Sequence, residues 1–305
     1  MKGEEYMSQK EKKKDSDKEE KPRRRRGDRK EATRVRNVDD FTQLLPYLMP
    51  TRDGSCVYFK ETIDATNLIK FIEENDKKYS YFGVFLSALA RTMALRPHLN
   101  RFIQGHRHYQ RKKIVLSFVA KKEFTEEAVE TNVKLSLDKY ATLDDVTEKL
   151  SGSIVVAKDL SKDDTTDLLK TFTRFPRFML KRIIRFINWL DYHGWYPKDI
   201  YDFDPMMSSA FITNLGSIGL ETVPFHHLYD RGTCSLFMAV GKVHKGFINV
   251  EGEGMVERDV VEMSVTIDER ISNGFYYIKA IQLFKSLITN PEELLLKPEE
   301  VKDDL

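Results

Sequence analysis

Hydrophobic and polar positions alternate along the chain with a period that changes from segment to segment. Residues 55–63 and 114–120 are rich in residues that favour strands, so each segment predicts a β-strand. Residues 64–75 carry apolar positions at helical spacing. Residues 80–95 are apolar on most faces, and Ser80 is a suitable N-cap, which predicts a buried helix.

The rest of the folded part mixes strands and helices without strict alternation. Further strands are predicted at residues 134–138, 209–214, 234–240 and 260–268, and further helices at 143–151, 163–172 and 274–288. This order favours an α/β sandwich with a mixed sheet over a doubly wound parallel sheet.

Residues 173–195 predict a basic amphipathic helix. One stripe holds Arg174, Arg177, Lys181 and Arg185, and the opposite stripe holds Met179, Ile183, Phe186 and Leu190. Such a helix lies on a membrane surface or packs over a core or a partner subunit. Its large aromatic residues favour packing, so no membrane contact is expected.

The two ends of the chain differ from the middle in charge. Residues 1–36 are nearly all polar or charged and predict a disordered tail, in which Arg23–Arg26 could touch a polyanion or an anionic surface, with a purely solubilising role as the favoured alternative. A folded domain is expected at 37–296 and an acidic tail at 297–305. The formal net charge of +2 does not call for nucleic acid as a partner.

Bulk features indicate a cytoplasmic protein without a metal. No apolar run approaches the roughly 20 residues that cross a bilayer, and the N-terminus lacks an apolar signal core. Cys56 and Cys234 are the only cysteines, and their spacing predicts two free thiols rather than a metal site or a disulfide.

Three segments carry candidate chemistry. They are residues 96–102 (RPHLNRF), 210–219 (AFITNLGSIG) and 263–274 (MSVTIDERISNG). Thr213 is expected at a strand end, and Gly216 and Gly219 permit a positive φ in the turn that follows. His98, in the first segment, is expected only to balance charge in a basic turn.

Together, in this order, these segments resemble the catalytic domain of the 2-oxo acid dehydrogenase acyltransferases and the related chloramphenicol acetyltransferases. The Thr-Asn-Leu-Gly segment is similar to the family's Ser-Asn-Leu-Gly, and residues 268–274 are similar to its Asp-His-Arg-x-x-Asp-Gly. Thr213 and Glu269 lie 56 positions apart, close to the family's separation. The resemblance covers residues 38–294. It implies a chloramphenicol acetyltransferase-like two-layer sandwich and a homotrimer with sites between subunits.

The resemblance also implies residue roles. In the family the motif histidine takes a thiol proton, the serine hydroxyl stabilises the oxyanion and the aspartate holds the geometry. The corresponding residues here are Glu269, Thr213 and Asn273. A threonine hydroxyl can make the same hydrogen bond as serine. A carboxylate of pKa about 4.3 is a weak base toward a thiol of pKa about 8.5, and losing an acid–base group costs about 10² to 10⁴ in rate.

Another histidine could supply the missing base. His227, beside His226 in the loop after the glycine turn, is the candidate, and an ordinary loop or interface role is the alternative. Contacts to coenzyme A are expected at Asn214, Gly216, Ser217 and Arg270. Coenzyme A or an acyl-coenzyme A is expected as a substrate, with no permanently bound cofactor.

Two functions follow. The first is a coenzyme A-dependent acyltransferase with an altered motif, acting between a thioester and a small-molecule acceptor. The second is a catalytically silent trimer of the same fold that binds a ligand or a protein. No lipoyl-type domain is recognised before residue 38, so a swinging-arm role is not expected.

Overall fold

A computed structural model describes residues 28–121, 130–159, 174–250 and 252–301. Its strands are β1 (Ala32–Arg34), β2 (Cys56–Asp64), β3 (Arg101–Gln104), β4 (Arg107–Arg111), β5 (Ile114–Lys121), β6 (Glu130–Leu137), β7 (Ala210–Asn214), β8 (Leu236–Val240), β9 (His244–Val250) and β10 (Gly254–Asp268). Its α-helices are α1 (Asp40–Leu48), α2 (Thr66–Glu74), α3 (Tyr81–Leu95), α4 (Leu143–Asp159), α5 (Arg177–Tyr192), α6 (Lys198–Phe203) and α7 (Gly274–Thr289).

The main sheet is mixed, as predicted. Its strand order is β2-β10-β8-β7-β5-β6, and β9 pairs with the first half of β10. β7 runs parallel to both β5 and β8, and the other pairs are antiparallel. Helices α2, α3, α4 and α7 cover one face of this sheet, which makes the two-layer sandwich.

The two faces of the sheet have different surroundings because side chains alternate along a strand. Ile212 of β7 and Met238 of β8 belong to the main core under the helices. Phe211 and Phe237 lie in a smaller cluster on the other face, with ring centroids 5.1 Å apart. By this alternation Thr213 shares the face of Phe211.

Helix α3 is buried because its sequence leaves almost no polar face. Val84, Leu86 and Leu89 are at most 2% exposed. The Ser80 side chain accepts a hydrogen bond from the Gly83 backbone nitrogen at 3.0 Å and caps the helix, as predicted.

The folded domain begins earlier than the sequence predicted. Strand β1 pairs with β4, and Arg29 is only 2% exposed. Its guanidinium forms ion pairs with Asp191 and Glu31. The predicted tail boundary at residue 36 is therefore wrong for residues 28–36. Their charge suggested solvent, but a buried carboxylate 162 positions away neutralises Arg29.

Several element boundaries also differ. Helices α1 and α6 and strands β1 and β9 were not predicted, β6 begins at Glu130 rather than 134, and α4 extends to Asp159. The predicted helix at 163–172 lies outside the described residues. Within the described part of the chain, no helix has both the length and the apolar character needed to span a bilayer.

Helix α5 packs by a narrower face than expected. Ile183 and Leu190 are half-buried, but Met179 is 40% exposed and Phe186 is 58% exposed. Met179 and Phe186 therefore do not pack over the core of their own chain, whereas packing over a partner subunit, the other form of the expectation, stays a prediction. Both residues lie on the outward side of the helix.

Candidate functional site

The turn after β10 is held by a buried ion cluster. Arg270 Nε and Nη2 donate to the two carboxylate oxygens of Asp268, each at 2.8 Å. Arg52 Nε lies 3.5 Å from Asp268 Oδ2, and burial lowers the pKa of Arg52 while the charge of Asp268 opposes that shift. Tyr277 donates its hydroxyl hydrogen to the Asp268 carbonyl at 2.9 Å. Asp268 is 0% exposed, so these bonds fix the turn from inside.

Glu269 lies between these two buried residues and is itself half-buried. It starts the short 3-10 turn Glu269–Ile271. Its carboxylate forms no hydrogen bond or ion pair with another described residue. The carboxylate is therefore the one acidic group of the turn that is not already paired within the described chain.

Asn273 has a structural role in the same turn. Its side-chain oxygen accepts a hydrogen bond from the Tyr276 backbone nitrogen at 2.9 Å and caps α7. Aspartate and asparagine cap helices about equally well. The cap is therefore compatible with either residue at this position.

His98 contacts the turn directly. Its Nδ1 lies 3.1 Å from Ser272 Oγ, and its ring stacks on Tyr276 with centroids 4.4 Å apart. Charge balance alone did not predict this contact. The sequence signal was available, because His98 lies in one of the three segments that carry the resemblance.

Thr213 lies far from this turn within one chain. By strand register Thr213 is level with Ala239 and Ser264. Glu269 follows Ser264 by five positions in the strand direction, which corresponds to about 17 Å at about 3.3 Å per residue. The two candidate catalytic positions therefore lie toward opposite ends of the sheet.

The Asn214 turn is compact for two reasons. The Asn214 side chain accepts from the Ser217 backbone nitrogen at 3.2 Å, and Ser217 Oγ donates to the Asn214 carbonyl at 2.7 Å. Gly219 has φ of +90°, as predicted. Gly216 has no positive φ, which corrects the prediction. Residue 216 must be glycine because a Cβ there would come within 2.5 Å of the Gly241 carbonyl oxygen.

One cavity lies beside the Asn214 turn and another beside Arg270. The larger, about 580 Å³, is bordered by Asn214, Gly216 and Ser217. The lining of this cavity also includes Lys77, Lys242, Tyr79 and Ile72. The smaller cavity, about 210 Å³, contains Arg52, Arg270, His106 and Tyr192 in its wall.

The four residues expected to contact coenzyme A therefore divide between two cavities. Arg270 is 3% exposed, and its guanidinium is taken by Asp268 and by the Met49 carbonyl at 2.9 Å. This bonding gives Arg270 a structural role in the turn.

The loop histidines lie over the sheet face that carries Thr213. His226 stacks on Phe237 with centroids 4.0 Å apart, and His227 stacks on His226 at 4.8 Å. His227 is exposed, and its carbonyl lies 2.6 Å from His226 Nδ1. By register Phe237 pairs with Phe211, one same-face position from Thr213.

Comparisons with known proteins bear on this arrangement. Residues 204–296 match the family model of the 2-oxoacid dehydrogenases acyltransferase catalytic domain. This segment contains Thr213, Glu269 and Asn273. No curated protein matches the chain by sequence.

Solved structures match over most of the chain at low sequence identity. One is the dihydrolipoamide acetyltransferase of Azotobacter vinelandii, studied for the role of a serine, a histidine and an asparagine in its mechanism. It is 15% identical with a TM-score of 0.55, over 86% of this chain and 94% of that one. The cubic core of a pyruvate dehydrogenase multienzyme complex is 15% identical with a TM-score of 0.50, over 86% of this chain and 94% of that one. A chloramphenicol acetyltransferase is 12% identical with a TM-score of 0.52, over 85% of this chain and 98% of that one.

At these identities the structural matches establish the fold, and the family match adds the segment that contains both candidate motifs. The resemblance and the fold predicted from the sequence are therefore confirmed: the chain has a chloramphenicol acetyltransferase-like acyltransferase fold, and its residues 204–296 match the 2-oxoacid dehydrogenases acyltransferase catalytic domain.

Proposed function

We propose that this chain is a coenzyme A-dependent acyltransferase-like protein whose site forms between copies of the chain. The observation that carries the proposal is the separation of Thr213 and Glu269 by about 17 Å along the strands. A second copy that brings its own Glu269 beside Thr213 would complete a site that one chain leaves divided. The resemblance implies a trimer, and a structurally similar chain forms the cubic core of a multienzyme complex.

The surfaces around Glu269 and around Thr213 support an interface between copies of the chain. Near Glu269, Phe275 is 72% exposed and Leu48 is 66% exposed. Near Thr213, Ile218 is 61% exposed and Leu220 is 43% exposed. Apolar side chains grouped in this way around a site are typical of surfaces that another protein chain covers.

The larger cavity supports coenzyme A as the ligand. Asn214, Gly216 and Ser217 border it, and Lys77 and Lys242 supply positive charge for phosphate groups. Ile72 and Tyr79 give an apolar wall suited to a pantetheine arm. Thr213 directly precedes Asn214, which borders this cavity.

In the reaction that we propose, the acceptor thiol loses its proton to a base and its sulfur attacks the thioester carbonyl. Thr213 donates a hydrogen bond to the oxyanion, and the tetrahedral intermediate then expels the second thiol, which takes the proton back. Glu269 is the base. A carboxylate accepts a thiol proton poorly, so transfer to a thiol is slow.

Only one of the two changes in the motif lacks a counterpart in an enzyme of this fold. In the Azotobacter vinelandii enzyme the histidine and the asparagine stand four positions apart, as Glu269 and Asn273 do here. Asparagine at residue 273 therefore has a counterpart in an enzyme of this fold. The replacement of histidine by Glu269 is the change that decides activity.

The half-buried, unpaired carboxylate of Glu269 also supports the second function, a silent trimer that binds a ligand. Calorimetry with coenzyme A, followed by acyl-coenzyme A turnover, distinguishes the two. If the first function is correct, the parent binds coenzyme A, and Glu269→His raises thiol transfer by about 10² or more. Thr213→Val in the same background removes that gain.

Lys77→Ala with Lys242→Ala should weaken coenzyme A binding, whereas Lys245→Ala, at an exposed lysine of β9, should not. Binding without turnover in either the parent or Glu269→His would support the silent trimer. Absence of binding in the parent and in every variant would contradict both functions as stated.

A further inference from the structure

The outward side of helix α5 is apolar and aromatic, although the helix is already anchored from within. Leu180, Ile187 and Leu190 face inward and are half-buried. On the outward side lie Phe178 at 63% exposed, Met179 at 40%, Phe186 at 58% and Trp189 at 47%. The helix therefore uses one face to pack on its own domain and leaves a second apolar face uncovered.

The same outward side is strongly basic. Arg177, Lys181, Arg182 and Arg185 are exposed and form no ion pair with a described residue. The one acidic residue of α5 is Asp191, which is 4% exposed and paired with Arg29. The exposed surface of the helix thus carries positive charge alone, interleaved with aromatic rings.

The basic N-terminal sequence joins the domain at this helix. Arg29 is bonded to Asp191 in the last turn of α5. The run Arg23–Arg26 ends three residues before Arg29 in the sequence. Residues 1–27 hold eleven Lys and Arg against seven Asp and Glu. The sequence that leads into the Arg29–Asp191 contact is therefore basic.

We propose that α5 docks on the surface of an anionic lipid bilayer. Phe178, Phe186 and Trp189 enter the interface between headgroups and acyl chains, and Arg182 and Arg185 contact headgroup phosphates. Aromatic side chains that enter the headgroup and acyl-chain boundary, and Lys or Arg side chains attracted to anionic lipids, are the two contributions that hold a helix at a membrane surface. The proposal reverses the expectation of no membrane contact, because that expectation assumed that the aromatic residues of α5 are packed.

Helix α1 provides the contrast that favours lipid over a protein partner for α5. Its exposed apolar residues are Phe41, Leu44, Tyr47 and Leu48, at 55–66% exposed. No Lys or Arg lies within α1. An apolar face without basic residues suits a second copy of the chain, whereas a basic aromatic face suits an anionic surface.

Co-sedimentation of the full chain with vesicles tests the proposal. We expect binding to phosphatidylcholine vesicles that contain phosphatidylglycerol, and little binding to phosphatidylcholine alone. The quadruple change Arg177→Gln, Lys181→Gln, Arg182→Gln, Arg185→Gln should lower the bound fraction on anionic vesicles about tenfold or more. Circular dichroism checks that each variant is folded.

The aromatic contribution has its own variant and control. Phe186→Ser with Trp189→Ser should also release the protein, whereas Phe247→Ser with Met255→Ser, at even more exposed positions of the β9–β10 hairpin, should not. Deleting residues 1–27 should weaken binding without abolishing it. Deleting residues 1–36 would remove β1, so it is not a clean test.

Three results would overturn the proposal. The first is a parent protein that stays in the supernatant. The second is equal binding to both kinds of vesicle. The third is a Phe186→Ser, Trp189→Ser variant that loses oligomer mass by light scattering but keeps vesicle binding, because the face would then belong to a second copy of the chain.

Discussion

Arg270 donates two hydrogen bonds of 2.8 Å to the Asp268 carboxylate, and Glu269 lies between the two residues in the chain. The outer positions of the three-residue motif are therefore bound to one another inside the protein. The middle position is free of such bonds within the described chain. This division explains how the fold keeps its turn while the residue that would act as the base has changed.

Asp268→Asn should destabilise the domain strongly. The substitution leaves Arg270 and Arg52 buried without a counter-charge, which typically costs about 3–5 kcal/mol in the free energy of unfolding. Urea denaturation measures the change. Asp259→Asn is the control, because its partner Lys245 is 64% exposed, and such a surface pair contributes about 0.2–1 kcal/mol. Equal losses for the two variants would contradict the assigned role of Asp268.

Asn273 should behave as a helix cap. Asn273→Ala should cost about 1 kcal/mol of stability because the Tyr276 backbone nitrogen loses its acceptor. Asn273→Asp should leave stability nearly unchanged because the carboxylate caps equally well. Thermal unfolding of both variants tests this. A large loss for the aspartate variant would show that the side-chain amide has another essential partner.

His108 should make the stability of the domain fall in mild acid. Burial lowers the pKa of His108 from its ordinary value of 6.5. Its Nε2 lies 3.0 Å from the Thr42 carbonyl oxygen, and its buried Nδ1 has no hydrogen-bond partner among the described residues. The neutral ring donates from Nε2, and protonation would bury an unpaired N–H at Nδ1.

The direction of this pH dependence follows from the difference in proton binding between the unfolded and the folded chain. Below about pH 6.5 the unfolded chain takes up a proton at His108 and the folded chain does not, so acid favours unfolding. Above that pH both forms are neutral and the contribution vanishes. The melting temperature of the parent should therefore drop more than that of His108→Gln between about pH 7.5 and pH 5.5. A parallel pH dependence for the two proteins would contradict this assignment.

The sequence predicted the fold where local pattern and long-range packing agree. Helix α3 has a capping serine and almost no polar face, so its burial could be expected from the sequence. Residues 28–36 could not be assigned to the domain in this way, because the burial of Arg29 depends on Asp191, whose position only the tertiary structure provides.

The candidate site shows the same limit. Thr213, Glu269 and Asn273 were identified by sequence order, and the family match includes all three. Their separation within one chain depends on strand register, and one-dimensional spacing does not contain register. The contact of His98 with Ser272 was missed for the same reason, since it joins positions 174 apart.

Cross-linking between Thr213 and Glu269 tests the central claim most directly. In a Thr213→Cys, Glu269→Cys variant, a bis-maleimide too short to join the two positions within one chain should produce covalent dimers and trimers on a denaturing gel. Every variant and the parent carry Cys56→Ser, because Cys56 is half-buried and pairs with Asp268 beside residue 269, whereas Cys234 is buried. The two single variants then control for other thiols. Covalent oligomers specific to the double variant are the result that the account predicts. A double variant that stays monomeric on the gel and by light scattering would contradict it.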